Sequence, residues 1–154
     1  MRALTFIIFI NVAASAQGVG DIVFDPKTDD PKFTLCNPEQ VFQGYQLKSK
    51  QDETSLMVAK EFRTKYKYNE VWSRDSGVIR IRFIVNCNGA ADRFRLLELD
   101  DNLKPAKFSD EFKAHIMTIT KGIQWPTRRA WQQTVDYYHY FSVRLSNGEI
   151  EIVQ

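Results

Sequence analysis

The strongest constraint on the fold is a change of hydrophobic period at Gly77. From there Ile79, Ile81, Phe83 and Val85 fall on one side of an extended chain, and Val78, Arg80, Arg82 and Ile84 on the other. A two-residue period is that of a half-buried strand. Asn88-Gly89 comes next, a strong hairpin signal because both central positions of a type I′ turn need positive φ. The pattern predicts a return strand over Ala91–Leu99. Phe94 and Leu96 join the Phe83 side, and Arg93 and Arg95 join Arg80 and Arg82. Whether a bulge near Asp92 adjusts the register stays open. The same pattern recurs over Thr134–Leu145, where Val135, Tyr137, His139, Phe141, Val143 and Leu145 alternate with Asp136, Tyr138, Tyr140, Ser142 and Arg144. Asn147-Gly148 is a second turn, and Glu149–Val153 folds back as a last strand with Ile150 and Ile152 on the inner side.

Between and before these strands the period is that of helices. Residues 52–68 place Leu56, Ala59, Phe62 and Tyr66 at steps of three and four, opposite Lys and Arg, and Trp72 comes after them. Ser109 is an N-cap, with Asp110 and Glu111 at the positive helix start. Phe112, Ile116, Ile119 and Ile123 form its apolar stripe, and Gly122 ends it. Asn37-Pro38-Glu39-Gln40 fits a helix start, which predicts a short helix over 38–44. The rest of 17–50 is turn-rich, with Asp25-Pro26 and Asp30-Pro31 steering away from regular structure. The expected class is α+β, a small antiparallel sheet with helices packed on one face.

The N-terminus reads as an export leader. Arg2 precedes an apolar run, and Ala14-Ser15-Ala16 is a small-x-small cleavage site. Leu4–Ala16 spans 13 residues, about 20 Å as a helix against a bilayer core of roughly 30 Å. This divides the chain into a signal peptide over 1–16, an irregular and helical extension over 17–70, and a sheet domain over 71–154. No second apolar run reaches membrane length, so no membrane insertion is expected after cleavage. The whole chain carries 21 Lys and Arg against 19 Asp and Glu, and losing Arg2 brings it closer to neutrality. That balance gives no electrostatic footprint for nucleic acid.

Two cysteines remain, Cys36 and Cys87. In an oxidising compartment they can pair in one way only. Closing the long loop between them is worth about 4 kcal/mol in the chain-entropy model. The alternative is two buried thiols that never meet. Neither Cys has a second Cys or a His at ligand spacing, which argues against a metal site. No phosphate loop, dinucleotide fingerprint or nucleophile elbow occurs, so no cofactor is expected. His115 and His139 read as ordinary histidines. A hydrolase built on Cys87 or His115 is the weakest of the functional readings.

The run Gly77–Asn86, Gly89 in the turn, Phe94 and Leu96 after it, the helix leading into Trp125-Pro126, and Val135-Asp136-Tyr137-Tyr138 together resemble the TonB C-terminal domain family. The resemblance covers about residues 60–154. It implies a β-β-α-β domain, here with an added C-terminal strand, that binds extended peptides of outer-membrane proteins by adding a strand at a sheet edge. This chain departs from the family in its cleaved leader and in its spacer, where 17–60 holds only Pro26, Pro31 and Pro38. Those departures favour the fold over energy transduction. The expectation is therefore a periplasmic or secreted protein-binding module without catalytic residues. Its partner is a protein or peptide, and by the resemblance an outer-membrane transport protein. The candidate partner-binding residues are Arg80, Arg82, Arg93, Arg95, Tyr138 and Tyr140. The arginine face has a second reading as a solvated face balanced by Asp136 and Asp92. The competing function is a secreted structural or inhibitory protein whose last strand closes the sheet edge, with no transport role.

Overall fold

The computed structural model describes residues 22–47 and 51–153; the leader, Met1–Ala16, lies outside the described residues. In chain order the elements are β1 (Phe42–Gln43), α1 (Gln51–Lys65), β2 (Gly77–Val85), β3 (Ala91–Leu99), α2 (Asp110–Lys121), β4 (Arg128–Ala130), β5 (Gln133–Val135), β6 (Tyr137–Ser146) and β7 (Glu149–Val153), with short 3-10 turns at Gly44–Gln46 and Glu70–Trp72. The main sheet runs β1-β6-β2-β3, and β7 also pairs with β6. Every pairing in it is antiparallel except β1 with β6. A separate hairpin joins β4 and β5. The class is α+β. Among the described residues no helix is long and apolar enough to cross a membrane.

The inner face of the sheet carries the core. Ile79, Ile81, Phe83 and Val85 of β2 and Tyr137, Phe141, Val143 and Leu145 of β6 are buried together with Val58 and Phe62 of α1 and Phe112, Ile116 and Ile119 of α2. Both helices therefore pack on one face, as the alternation predicts, and α1 shares the core of the sheet. Ser109 Oγ accepts the Phe112 N–H as the N-cap of α2. The α1 face is corrected by the structure. Thr54, Val58 and Phe62 are buried, while Leu56 is exposed. Two successive three-residue steps turn a helix by about −120°, so Leu56 cannot share a face with Phe62.

The turns differ from one another. Asn147 and Gly148 both have positive φ and close the β6–β7 hairpin as predicted. A Cβ on Gly148 would come 2.8 Å from the Trp72 carbonyl, so glycine is needed there for space as well as for φ. At the β2–β3 connection only Gly89 has positive φ. The loop is the longer kind, a turn followed by a left-handed glycine, with Asn86 Oδ1 accepting the Asn88 and Ala90 N–H groups. The register question is answered by a bulge, since Ile84 pairs with Asp92 but Arg82 with Arg95, and Arg93 takes φ 58. Phe94 stays on the Phe83 ring at 4.9 Å.

The short helix expected over 38–44 is absent. Asn37 does cap locally, accepting the Glu39 N–H, but it caps a single turn. The chain then extends into β1, where Phe42 pairs with Tyr137. Sheet pairing, together with the fixed neighbour Cys36, overrides the local helix signal.

Candidate functional site

The outer face of the sheet gathers the predicted arginines and tyrosines. Register sets them in rows across β3, β2 and β6: Asp92–Ile84–Tyr138, Arg95–Arg82–Tyr140, Leu97–Arg80–Ser142 and Leu99–Val78–Arg144. The structure brings the candidates onto one face but divides it into a fastened half and an open half.

Residues 22–41 fasten the first half as a strap. Arg95 donates through Nη1 and Nη2 to the two Asp29 carboxylate oxygens at 2.7 and 2.8 Å, and to the Val23 carbonyl at 2.6 Å. The two-point hydrogen bond from Arg95 holds the buried Asp29 carboxyl well below the usual carboxylate range. Arg93 donates to the Ile22 carbonyl and lies over the Phe24 ring. Asp92 accepts the Asp30 N–H at 2.8 Å, and Asn86 donates to the Thr34 carbonyl. Ile22 is buried with Ile84 and Tyr138, with Phe33, Leu35 and Val41 packed against them.

The strap is tied down by a disulfide, Cys36–Cys87, across a separation of 51 residues. Asp136, almost wholly buried, accepts the Asn37 N–H at 2.7 Å on one oxygen and the Cys87 N–H at 2.8 Å on the other. Cys36, Cys87 and Asp136 bring their donor atoms within 4.8 Å of one another. The sulfurs are nevertheless bonded to each other, and both carboxylate oxygens are taken by backbone N–H groups, so this is a covalent tie rather than an ion cradle.

Two expectations for the arginine face are thereby corrected. Tyr138 is buried beneath the strap, because the apolar residues of 22–41 need cover and the Ile84–Tyr138 row supplies it. Arg93 and Arg95 are engaged by the strap. Asp136 and Asp92 bind backbone N–H groups of strap and hairpin, and among the described residues neither forms an ion pair with these arginines. Arg82 lies over the Tyr138 ring at 5.1 Å. Arg82, Arg93 and Arg95 are half-buried, and the open half holds the most exposed of the predicted residues. There Arg80 sits over Tyr140 at 5.6 Å, Tyr140 is 49% exposed and Leu97 is 47% exposed.

Comparison with protein-family models, with curated proteins and with solved structures finds no match. The site therefore stands on its geometry.

The two edges of the sheet differ. The free side of β6 is covered twice, by β1 at Tyr137–Tyr138 and by β7 at Ser142–Ser146. On β3, Ala106 donates to the Glu98 carbonyl and Pro105 bridges Leu99. Among the described residues no strand pairs with β3 on that side between Phe94 and Leu97. The histidines are apart from the disulfide. His139 is packed among Phe83, Trp125 and Tyr137, and His115 stacks on Trp72 and accepts the Lys67 N–H.

Sequence reasoning passed over Asp29 and, as a tie point, Asp136. Asp29 stands in no motif, and the run that holds Asp136 gives its carboxylate no role. Their partners lie 66, 99 and 49 positions away, so only the folded register reveals them.

Proposed function

We propose that the protein is an exported, non-catalytic protein-binding module, similar in kind to the TonB C-terminal domains. Its partner surface is the open half of the outer face together with the free edge of β3. The observation that carries this reading is the exposure of Leu97 and Tyr140 beside Arg80, next to an edge of β3 that no strand pairs among the described residues. Aromatic residues and arginine are enriched where proteins meet, and an unpaired edge accepts an extended chain through main-chain hydrogen bonds. The disulfide supports export, since such bonds persist in oxidising compartments. An extended segment of an outer-membrane transport protein is the partner that the resemblance implies.

The second reading is a secreted structural or inhibitory protein. It is favoured by β7, which closes the β6 edge over five register pairs. The two readings separate by site-specific photo-crosslinking in the producing cell. A crosslinking residue in place of Leu97 or Tyr140 is expected to capture a discrete partner, and one in place of Thr118, exposed on α2, is not. Equal capture at all three positions, or none at the first two, overturns the binding-module reading.

A further inference from the structure

A separate surface is built from residues that the outer face does not use. The β4–β5 hairpin closes on Trp131-Gln132, since Ala130 pairs with Gln133. Trp131 has φ 54 and Gln132 is not among the positive-φ residues, the pattern of a type II′ turn, whose first position is normally glycine. A tryptophan there costs backbone strain, yet the residue is 84% exposed. It meets Phe42 edge-on at 6.0 Å, above a groove of about 670 Å³ lined by Phe42, Gln46, Leu47, Arg129, Ala130 and Trp131.

Among the described residues the charge lining this groove is one-sided: it holds a guanidinium, that of Arg129, and no carboxylate; Arg129 donates to the Gln132 carbonyl within the same turn. Arg128, the neighbouring residue in β4, is 5% exposed. It donates to the Gly44 carbonyl, lies 4.8 Å over the Tyr137 ring, and leaves its buried Nε without a hydrogen-bond partner. No carboxylate pairs with Arg128 or Arg129 among the described residues. A buried cation without a counter-charge is costly and creates a field that attracts anions.

We propose that this groove docks an acidic, apolar peptide segment of a partner protein. An apolar side chain of the segment enters between Phe42, Leu47 and Trp131. An adjoining carboxylate sits on Arg129, within the field of Arg128. The concave shape fits single side chains rather than the plane of a bilayer, and the near-neutral chain lacks the basic surface that a nucleic acid needs. This second surface goes beyond the outer-face reading and stands or falls independently of it.

The test uses the mature protein and a blocked synthetic peptide, Glu-Phe-Glu-Leu-Glu, with a control in which Lys replaces each Glu. Trp72 and Trp125 are buried, so acrylamide quenching of tryptophan fluorescence reads Trp131. The acidic peptide is expected to protect Trp131 saturably, and more weakly as salt rises. The Lys control is expected to give no protection. Trp131→Gly suits the turn and is expected to fold with equal or higher stability, while calorimetry reads binding about thirtyfold weaker, the factor typical of an aromatic hot spot. Arg129→Gln is expected to weaken binding about fivefold. Four results overturn the proposal: equal binding of the Lys peptide, full-strength binding by the folded Trp131→Gly protein, protection only by phosphatidylglycerol vesicles, or protection by concentration-dependent dimerisation without peptide.

Discussion

His139 shows how one half-buried side chain sets a property of the whole protein. It lies on the inner face of β6 among three aromatic rings, and burial, with the charge of Arg128 second, pushes its imidazole down to about 4. The unfolded chain binds that proton near the ordinary value of 6.5. Between those values the unfolded state holds more protons, so stability is full above about pH 6.5 and falls as pH drops toward 4. The full difference corresponds to about 3 kcal/mol. His139→Phe fits the ring environment and is expected to flatten most of this slope, leaving a shallower one from His115, which burial and Lys67 also hold down. Asp29 acts at lower pH and with the usual carboxylate sign. Its depressed value adds stability above the normal carboxylate range, which is lost as pH falls further. Urea unfolding at pH 7, 5.5 and 4.5 checks the assignment; equal slopes for the wild type and His139→Phe would sink it.

The strap is the element that most alters the reading of the sequence. Apolar alternation is enough to place Phe83, Phe141 and Ile116 in the core, because period and face are local properties. The arginine side is legible as a face but not as a surface. Whether Arg95 greets solvent or Asp29 depends on a segment with no periodicity, held by a disulfide and by single carboxylates distant in sequence. The cysteine pairing is readable because two cysteines allow one bond. Asn37 is readable as a cap, yet the conformation beyond the cap is decided by pairing with β6. The β4–β5 hairpin is not legible, since strands of three residues are too short to show a period. Replacing Cys36 and Cys87 with Ser is expected to cost about 2–5 kcal/mol, the usual loss for a native bridge. It should also raise hydrogen exchange at the Asp30, Asn37 and Cys87 amides, which the Asp92 and Asp136 carboxylates hold. Unchanged exchange at these amides in a folded double variant would mean that the strap stays down without its covalent tie.

At the scale of the molecule the question is how an open sheet avoids pairing with the wrong chain. The two edges are handled differently among the described residues: β6 is paired at both ends, whereas β3 is bridged only near Glu98–Leu99. The β7 cover is anchored as well as paired. Tyr66 Oη donates to the Gly148 carbonyl, Gly148 N–H donates to the Asp75 carbonyl at 2.9 Å, and Asn147 N–H donates to Ser76 Oγ at 2.9 Å. Ile150 packs against the main core, as predicted; the Ile152 side chain lies outside the described residues. Three contacts at the turn and an apolar anchor make β7 a structural strand rather than a loosely held competitor for a partner. Deleting 147–154 is therefore expected to lower stability and expose the backbone of Ser142, Arg144 and Ser146, so that sedimentation reads self-association through the β6 edge. The edge of β3 gives the contrast. Leu97→Lys, a charge on an already open edge, is expected to leave stability within about 0.5 kcal/mol and to abolish capture at the outer face. A truncated protein that stays monomeric at full stability would show that β7 guards nothing, and would return the β6 edge to consideration as a second strand-binding site.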